Sequence, residues 1–181
     1  MPPDTAPPDT APPAWPDEVF DALVALDVRQ VAYVPDAGHS RPITRCRDAD
    51  GIAAGPLTTE EEGIALLAGA WRGGQRGALL MQSSGLGNCV NMLALTRVCR
   101  FPLLILVTMR GEPGEANPWQ TPMGTIAGDV LDLAGVAVHR AAAADRVAPL
   151  VADAGADVFR RSAAAAVLIA QEVIGLKSFD E

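Results

Sequence analysis

Short, purely apolar runs that alternate with helical patterns constrain the fold of this chain most. The runs over 101–107 and 163–170 contain no polar side chain. Each is too short to cross a bilayer as a helix, and each has the length of a strand buried on both faces. Because strands of this kind alternate with amphipathic helices along the chain, the sequence predicts an α/β fold. Its core is a doubly wound, mainly parallel sheet with helices on both faces.

The periodicity of apolar residues and the Gly and Pro breaks set the boundaries of the predicted elements. In a parallel sheet the loops that follow the strands meet at one edge, which is where open α/β sheets bind ligands. Thr59 and Glu62 match a capping box at the start of one helix, and Gly73-Gly74 matches its stop. We predict strands over 31–34, 52–57, 78–82, 101–108, 136–139 and 164–170, and helices over 17–27, 60–72, 86–99, 123–134 and 145–160, with a weak helix ending near residue 46.

Composition limits the class of protein. The 181 residues fit a single domain over 15–181, preceded by a Pro-rich repeat over 1–14 that we predict to be disordered. The net charge of −8 and the scattered arginines argue against a nucleic-acid surface. The absence of a long apolar segment argues against a membrane protein. Three cysteines without metal-ligand spacing predict free thiols, no metal site in this chain and a cytoplasmic location.

Acidic residues and a glycine-rich loop fall at neighbouring ends of the predicted sheet. Glu60, Glu61 and Glu62 open a helix, where carboxylates meet the positive end of the helix dipole. One of the three is free to face the sheet edge. The segment 82–88, Gln-Ser-Ser-Gly-Leu-Gly-Asn, forms a strand-loop-helix turn whose backbone amides can approach a ligand. It lacks the third glycine of a dinucleotide fingerprint and the lysine of a P-loop.

Two further features lie at the same edge. A long Gly- and Pro-rich loop over 110–121 follows the most apolar strand, and loops of this length are often functional. The alternative is a plain surface excursion. His39 follows the end of the first predicted strand; a surface position is the common outcome, although a histidine can carry a proton near neutral pH.

Taken together, these segments resemble the pyrimidine-binding domain of thiamine-diphosphate-dependent 2-oxo acid decarboxylases. The resemblance is greatest to the alpha subunit of sulfopyruvate decarboxylase and to the matching half of phosphonopyruvate decarboxylase. It extends over about 17–170 and is most specific from 56 to 124. The motifs that carry it are Pro-Leu-Thr-Thr-Glu-Glu-Glu-Gly at 56–63, Ala-Gly-Ala at 68–70, Leu-Met-Gln-Ser-Ser-Gly-Leu-Gly-Asn at 80–88, Asn91, Arg110-Gly111, Gly114-Glu115 and Gln-Thr-Pro-Met-Gly at 120–124.

The resemblance implies roles for individual residues. One glutamate of this domain shares a proton with the pyrimidine ring of the cofactor and so activates it. Counting back nine residues from Gly69 identifies Glu60, with Glu61 as the second choice. We then expect Glu60 to face the sheet edge, and Glu61 and Glu62 to meet solvent. His39 is implied in proton transfer. The other implied contacts are Gln82, Ser83, Ser84, Gly85, Gly87 and Asn88 for the cofactor, and Gln120 and Arg110 for the substrate.

The resemblance also implies that half of the cofactor site is elsewhere. Relatives hold the diphosphate and Mg²⁺ with a Gly-Asp-Gly motif, and the nearest match here, Gly128-Asp129-Val130, lies in a predicted helix. A beta subunit would therefore supply that half, in a heterotetramer or larger assembly. The implied activity is decarboxylation of a small anionic 2-oxo acid such as sulfopyruvate or phosphonopyruvate. Two alternatives stay open: a carboligase subunit on the same scaffold, and a non-catalytic flavodoxin-like binding module.

Overall fold

A six-stranded parallel sheet forms the centre of the protein. The computed structural model describes residues 14–175, so the predicted tail lies outside the described residues except for Ala14. The strand order is β2-β1-β3-β4-β6-β5, and every pair of neighbours is parallel. The predicted doubly wound α/β fold is confirmed. The strands are β1 (Val28–Tyr33), β2 (Ala53–Pro56), β3 (Arg76–Gln82), β4 (Leu103–Thr108), β5 (Ala137–Ala141) and β6 (Ala164–Ile169).

Helices cover both faces of the sheet. The first apolar core contains residues of α1 and α7, and the second contains residues of α3, α4 and α6. We call the second set of helices, together with α5, the α3–α6 layer. The helices are α1 (Trp15–Ala25), α2 (Ser40–Asp48), α3 (Glu60–Arg72), α4 (Leu86–Cys89), α5 (Ala94–Val98), α6 (Thr121–Leu133), α7 (Ala144–Arg161) and α8 (Gln171–Ile174).

Strand β4 shows why the sequence lacks polar alternation. Leu104 and Leu106 pack into the first core, whereas Leu103, Ile105 and Val107 pack into the second. All of these side chains are fully buried. A strand with helices on both sides needs apolar residues at every position, and this is the pattern from which the fold was predicted.

The predicted single helix over 86–99 is wrong, because the structure divides it into α4 and α5. Between them the backbone amides of Ala94, Leu95 and Thr96 bond to carbonyls three residues earlier rather than four. Asn91 lies in this turn, and asparagine competes with the helix by bonding to nearby backbone groups.

The capping box at the start of α3 is also wrong. The Thr59 side chain makes no capping hydrogen bond. The Glu62 carboxylate instead accepts a hydrogen bond from the backbone N–H of Thr58 at 2.8 Å, one residue before the expected partner. The predicted stop is confirmed, since the helix ends at Arg72 with Gly73 as its C-cap.

The topology gathers the polar loops at the carboxyl edge of the sheet. β1 and β3 are neighbours, although β2 lies between them in the sequence. The chain therefore leaves these two strands in opposite directions, which opens a crevice at their carboxyl ends. The start of α3 and the loops after β3, β4 and β6 surround this edge. Within residues 14–175 no helix is long and apolar enough to cross a membrane.

Candidate functional site

Glu60, the first residue of α3, points its carboxylate into the loop that follows β3. The residue is only 6% exposed. The Asn88 side-chain amide donates a hydrogen bond to Oε2 at 2.8 Å. The carboxylate packs directly over Gly85, where a Cβ would collide with Oε1 and with the carboxyl carbon. The structure therefore places Glu60 at the sheet edge together with two of the predicted cofactor-binding residues, Gly85 and Asn88.

The two neighbouring glutamates differ from each other. Glu62 is exposed, as predicted. Glu61 is half-buried, and its Oε2 is enclosed without a hydrogen-bond partner among the described residues. The prediction that Glu61 simply meets solvent is wrong. A hydrogen bond from the Thr59 side chain is the largest cause that lowers the pKa of Glu61.

The loop after β3 links two polar clusters. It forms a 3₁₀ turn over Ser83–Gly85, and Ser83 is fully buried. The Ser83 hydroxyl accepts a hydrogen bond from the backbone N–H of Arg110 at 3.0 Å. The Ser83 side chain therefore makes a contact within the protein and joins the loop after β3 to the loop after β4. Gln82 and Ser84 are half-buried, whereas Gly87 and Asn88 are exposed.

Arg110 and Glu115 form a buried, two-pronged ion pair. Nε and Nη2 of the guanidinium each lie 2.7 Å from a carboxylate oxygen of Glu115. The same carboxylate accepts hydrogen bonds from the N–H groups of Gly111 and Asn117 and from the Gln171 side chain. The Arg110 hydrogen bond is the main cause that lowers the pKa of Glu115 to about 2. The positive charge of Arg110 is thus balanced internally, and its predicted contact with a substrate anion stays a prediction.

Gln171, the second residue after β6, holds the long loop that follows β4 in place through hydrogen bonds to Glu112. Its side-chain carbonyl accepts from the N–H of Glu112 at 3.0 Å, and its own N–H donates to the Glu112 carboxylate at 2.9 Å. The other oxygen of that carboxylate accepts from Arg140 at 2.6 Å. The loop after β4 is therefore fixed to the ends of β5 and β6.

His39 is buried, so the surface position that is common for a loop histidine does not apply to it. Its side chain is 0% exposed, and Nδ1 lies 3.5 Å from the Asp36 carboxylate. Neither ring nitrogen has a hydrogen-bond partner within the described residues. Burial lowers the pKa of His39 to about 4, against an opposing effect of Asp36. The imidazole is neutral at pH 7, and its role in proton transfer stays a prediction.

Gln120 presents an unsatisfied polar atom. The residue is 8% exposed, and its Oε1 is buried without a hydrogen-bond partner among residues 14–175. Gly111, at φ +77°, makes room for it, because a Cβ there would lie 2.5 Å from the Gln120 backbone oxygen. This packing fixes the Gln120 backbone, whereas the side-chain Oε1 is left as an unpaired hydrogen-bond acceptor. The predicted substrate contact stays a prediction.

Sequence reasoning gave no role to three polar residues of this edge, Asp36, Thr108 and Gln171. Asp36 accepts a hydrogen bond from the Thr108 hydroxyl, and a cavity of about 130 Å³ lies between Asp36, Arg110 and Gln171. Each of these polar residues comes directly or almost directly after a buried strand. That position is the signal by which they could have been found. No group of three metal-ligating side chains occurs in the part of the chain that the structure describes.

Fold and site together define a doubly wound α/β domain with a buried carboxylate at its ligand-binding edge. The alpha subunit of sulfopyruvate decarboxylase from Methanococcus maripaludis is 34% identical over 139 residues, which are 76% of this chain and 83% of that subunit. The same subunit from Methanothermobacter thermautotrophicus is 45% identical over 93 residues, 50% of this chain and 56% of that subunit. This chain belongs to the sulfopyruvate decarboxylase alpha-subunit family, as its motifs predict.

Two further proteins match part of this chain or its fold. Phosphonopyruvate decarboxylase from Streptomyces viridochromogenes is 41% identical over 113 residues, 61% of this chain and 28% of that enzyme. A solved 2-oxoglutarate:ferredoxin oxidoreductase from Magnetococcus marinus matches with a TM-score of 0.68 and 14% identity, over 92% of this chain and 33% of that chain. At this identity the likeness shows the fold alone. No protein-family model matches the chain.

Proposed function

We propose that this chain is the alpha subunit of a heteromeric, thiamine-diphosphate-dependent decarboxylase. Its substrate would be a small anionic 2-oxo acid of the sulfopyruvate or phosphonopyruvate type. Two relatives, of whose length this chain covers 83% and 89%, are named as alpha subunits of sulfopyruvate decarboxylase. That name supports both the reaction and the need for a second subunit.

The observation that carries the proposal is the state of the Glu60 carboxylate. One oxygen is held by the neutral Asn88 amide, and Oε1 has no hydrogen bond among the described residues. The residue is buried, but it lies at an edge lined by a glycine-rich turn. These features fit a carboxylate that receives the ring nitrogen of a bound pyrimidine. Asn88 would keep the carboxylate oriented while Oε1 holds or releases a proton.

The other residues of the edge would shape the space around the cofactor. Bound thiamine diphosphate would supply the electron sink for loss of carbon dioxide. Gln82, Ser84, Gly85 and Gly87 would line it through the loop after β3. Gln120 would offer its buried amide oxygen to a donor on the cofactor or the substrate.

A partner chain would complete the site. The sequence contains no Gly-Asp-Gly motif, and Gly128-Asp129-Val130 lies inside α6, as predicted. No cluster of metal-ligating side chains within residues 14–175 offers a place for Mg²⁺. The diphosphate and its metal would therefore belong to the beta subunit.

The test uses the complex of this chain with the proposed beta subunit, the chain that would carry the Gly-Asp-Gly motif. Glu60→Gln keeps the size of the side chain and the Asn88 hydrogen bond but removes the titratable proton. Loss of a general acid–base group of this kind costs about 10²–10⁴-fold in rate. We expect a loss in this range when carbon dioxide release is measured with sulfopyruvate and with phosphonopyruvate.

Glu61→Gln and Glu62→Gln serve as matched controls on the same helix turn. Both should retain most of the activity, and all three variants should assemble with the partner. If Glu61→Gln were the damaging change, the assignment of Glu60 would be wrong by one residue. If none of the three mattered, the proposed cofactor chemistry would fail.

A further inference from the structure

Gln171 is a buried polar residue to which neither the sequence motifs nor the proposed cofactor contact gives a role. The residue is 3% exposed. It opens the short helix α8 after β6, so it lies at the same edge of the sheet as the candidate site. A polar side chain that is buried this deeply normally has its hydrogen-bonding groups satisfied. The partners of Gln171 therefore indicate its role.

Gln171 contacts the two acidic residues of the loop that follows β4. Its side-chain carbonyl accepts a hydrogen bond from the N–H of Glu112, and its own backbone N–H donates to the Glu112 carboxylate. Its side-chain N–H donates to Oε2 of Glu115 at 3.0 Å. An amide group supplies the acceptor and the donor together, whereas an ionised carboxylate at this position could only accept.

Glu115 connects Gln171 to both ends of the loop. Towards the start of the loop, the Glu115 carboxylate pairs with Arg110. Towards its end, Oε1 of Glu115 accepts from the N–H of Asn117 at 2.9 Å, and the Asn117 carbonyl accepts from the N–H of Gln120 at 3.0 Å. Gln171 is thus linked through short chains of hydrogen bonds to Arg110 and Gln120, the two residues predicted to contact the substrate.

The loop depends on polar contacts because it has little apolar packing. Between residues 111 and 119, all of which the structure describes, none belongs to either apolar core. A segment with few buried apolar contacts opens easily unless other contacts hold it. The side chain of Gln171 supplies two such contacts from a part of the chain that is 56 and 59 residues away from its partners.

The hydrogen bonds of Arg110 leave one of its groups available. Glu115 occupies Nε and Nη2, and Nη1 has no hydrogen bond among the described residues. Oε1 of Gln120 is likewise unpaired within residues 14–175. The loop therefore carries one donor and one acceptor that a substrate could use, provided that the loop stays in place.

We propose that Gln171 is a positioning residue, which holds the loop over 110–120 so that Arg110 and Gln120 face the substrate. The inference rests on the proposed function, because it takes Arg110 and Gln120 to be the substrate contacts. Gln171 acts through the loop, by its hydrogen bonds to Glu112 and Glu115. Its loss should therefore disturb the loop first and the binding of the substrate as a consequence.

Hydrogen–deuterium exchange of the free full-length chain tests the effect on the loop. Gln171→Met keeps the length of the side chain and the backbone hydrogen bond to Glu112, but it removes both side-chain contacts. Amides over 110–120 should exchange about tenfold faster than in the wild type, because hydrogen bonds to charged groups are among the stronger ones. Glu172→Gln is the matched control; Glu172 is the next residue and is exposed, so its exchange should equal that of the wild type.

Gln171→Glu separates the hydrogen bond from the size of the side chain. At pH 8 the introduced carboxylate would lie beside those of Glu112 and Glu115 and could not donate. These neighbouring charges raise the pKa of the introduced group, since Arg110 and Arg140 are already paired with them. Towards pH 5 the group should gain a proton and donate to Glu115, whose pKa of about 2 keeps it charged. The exchange rate of the loop relative to wild type at the same pH should therefore fall from pH 8 to pH 5.

Kinetics of the complex with the proposed beta subunit test the effect on the substrate. Gln171→Met should raise KM for the 2-oxo acid about tenfold and lower kcat by less, because it weakens substrate binding rather than cofactor activation. The affinity for thiamine diphosphate should not change, since the Glu60 carboxylate is held by Asn88 and not by this loop. Glu172→Gln should match the wild type in all three quantities.

The outcomes separate this inference from the proposed function. If Gln171→Met left both the exchange rate and KM unchanged in an active complex, the inference would be wrong and the proposed function would stand. Faster exchange with an unchanged KM would also overturn the inference, because the loop would not position the substrate. Should Gln171→Met fail to fold, the pH comparison of Gln171→Glu decides, and an exchange ratio that is equal at pH 8 and pH 5 would refute the role. A wild-type complex that releases no carbon dioxide from either 2-oxo acid would refute the proposed function and the inference with it.

Discussion

The Glu115→Gln substitution tests whether one buried carboxylate orders the loop over 110–120. Gln has nearly the same size and can still accept hydrogen bonds, but it cannot balance the charge of Arg110. The side chain of Arg110 is 7% exposed and that of Glu115 is 3% exposed. Removal of the negative partner therefore leaves a guanidinium buried without compensation, which is strongly destabilising.

The size of the effect follows from the pKa of Glu115. The lowering of this pKa from 4.5 to about 2 reflects the hydrogen bonds that stabilise the charged form of Glu115 in the folded protein. At about 1.36 kcal/mol per pKa unit, this corresponds to roughly 3 kcal/mol of stability at pH 7. Because the native pKa is lowered, this contribution is present above about pH 4.5 and is lost as the pH falls from there toward 2.

Urea unfolding followed by circular dichroism measures the prediction. At pH 7 the variant should be less stable than the wild type by about 3 kcal/mol, and this difference should shrink as the pH falls below 4.5. Asp153→Asn is the control; its side chain is exposed in the middle of α7 and forms no hydrogen bond within the described residues, so its effect should stay within about 0.5 kcal/mol at every pH. A difference for Glu115→Gln that is below 1 kcal/mol at pH 7, or that does not change with pH, would refute the reasoning.

Two further predictions concern the site and the thiols. Gly85→Ala should abolish thiamine diphosphate binding by the complex in titration calorimetry while the chain stays folded, because a Cβ there would displace the Glu60 carboxylate; unchanged binding would contradict the packing described. In the native chain at pH 8 a disulfide reagent should modify Cys99 alone, since burial raises the pKa of Cys46 to about 11 and that of Cys89 to about 12; rapid modification of a second thiol before urea is added would show that this burial is wrong.

The fold could be predicted because it depends on patterns that are local in the sequence. Strands β4 and β6 read as uninterrupted apolar runs, and only a parallel sheet covered on both faces uses such strands. The division between α4 and α5 could not be predicted. It depends on whether each backbone amide bonds to the carbonyl three or four residues earlier, and the two patterns have nearly the same apolar periodicity.

The candidate site was predicted only in part. Glu60 and the loop after β3 were found through motifs that lie within 30 residues of each other. The network around Glu115 was missed, because it joins Gln171 to Glu115 across 56 residues of sequence. His39 was predicted as a site residue, but its burial was not predicted, since that burial depends on contacts between the ends of separate strands.

Glu60 and Glu115 illustrate two different roles of a buried carboxylate at this edge of the sheet, one proposed to be chemical and the other structural. Glu60 is the first residue of α3 and Glu115 lies in the loop after β4, and the side chains of both are buried. The Glu115 carboxylate is saturated by hydrogen bonds from a guanidinium, two backbone amides and Gln171, so it stays charged and serves only to fix the loop. Glu60 accepts one hydrogen bond from a neutral donor, Asn88, and its other oxygen has no hydrogen bond among the described residues. A carboxylate with an unclaimed oxygen can exchange a proton with a ligand, and in this respect Glu60 fits the proposed cofactor contact whereas Glu115 does not.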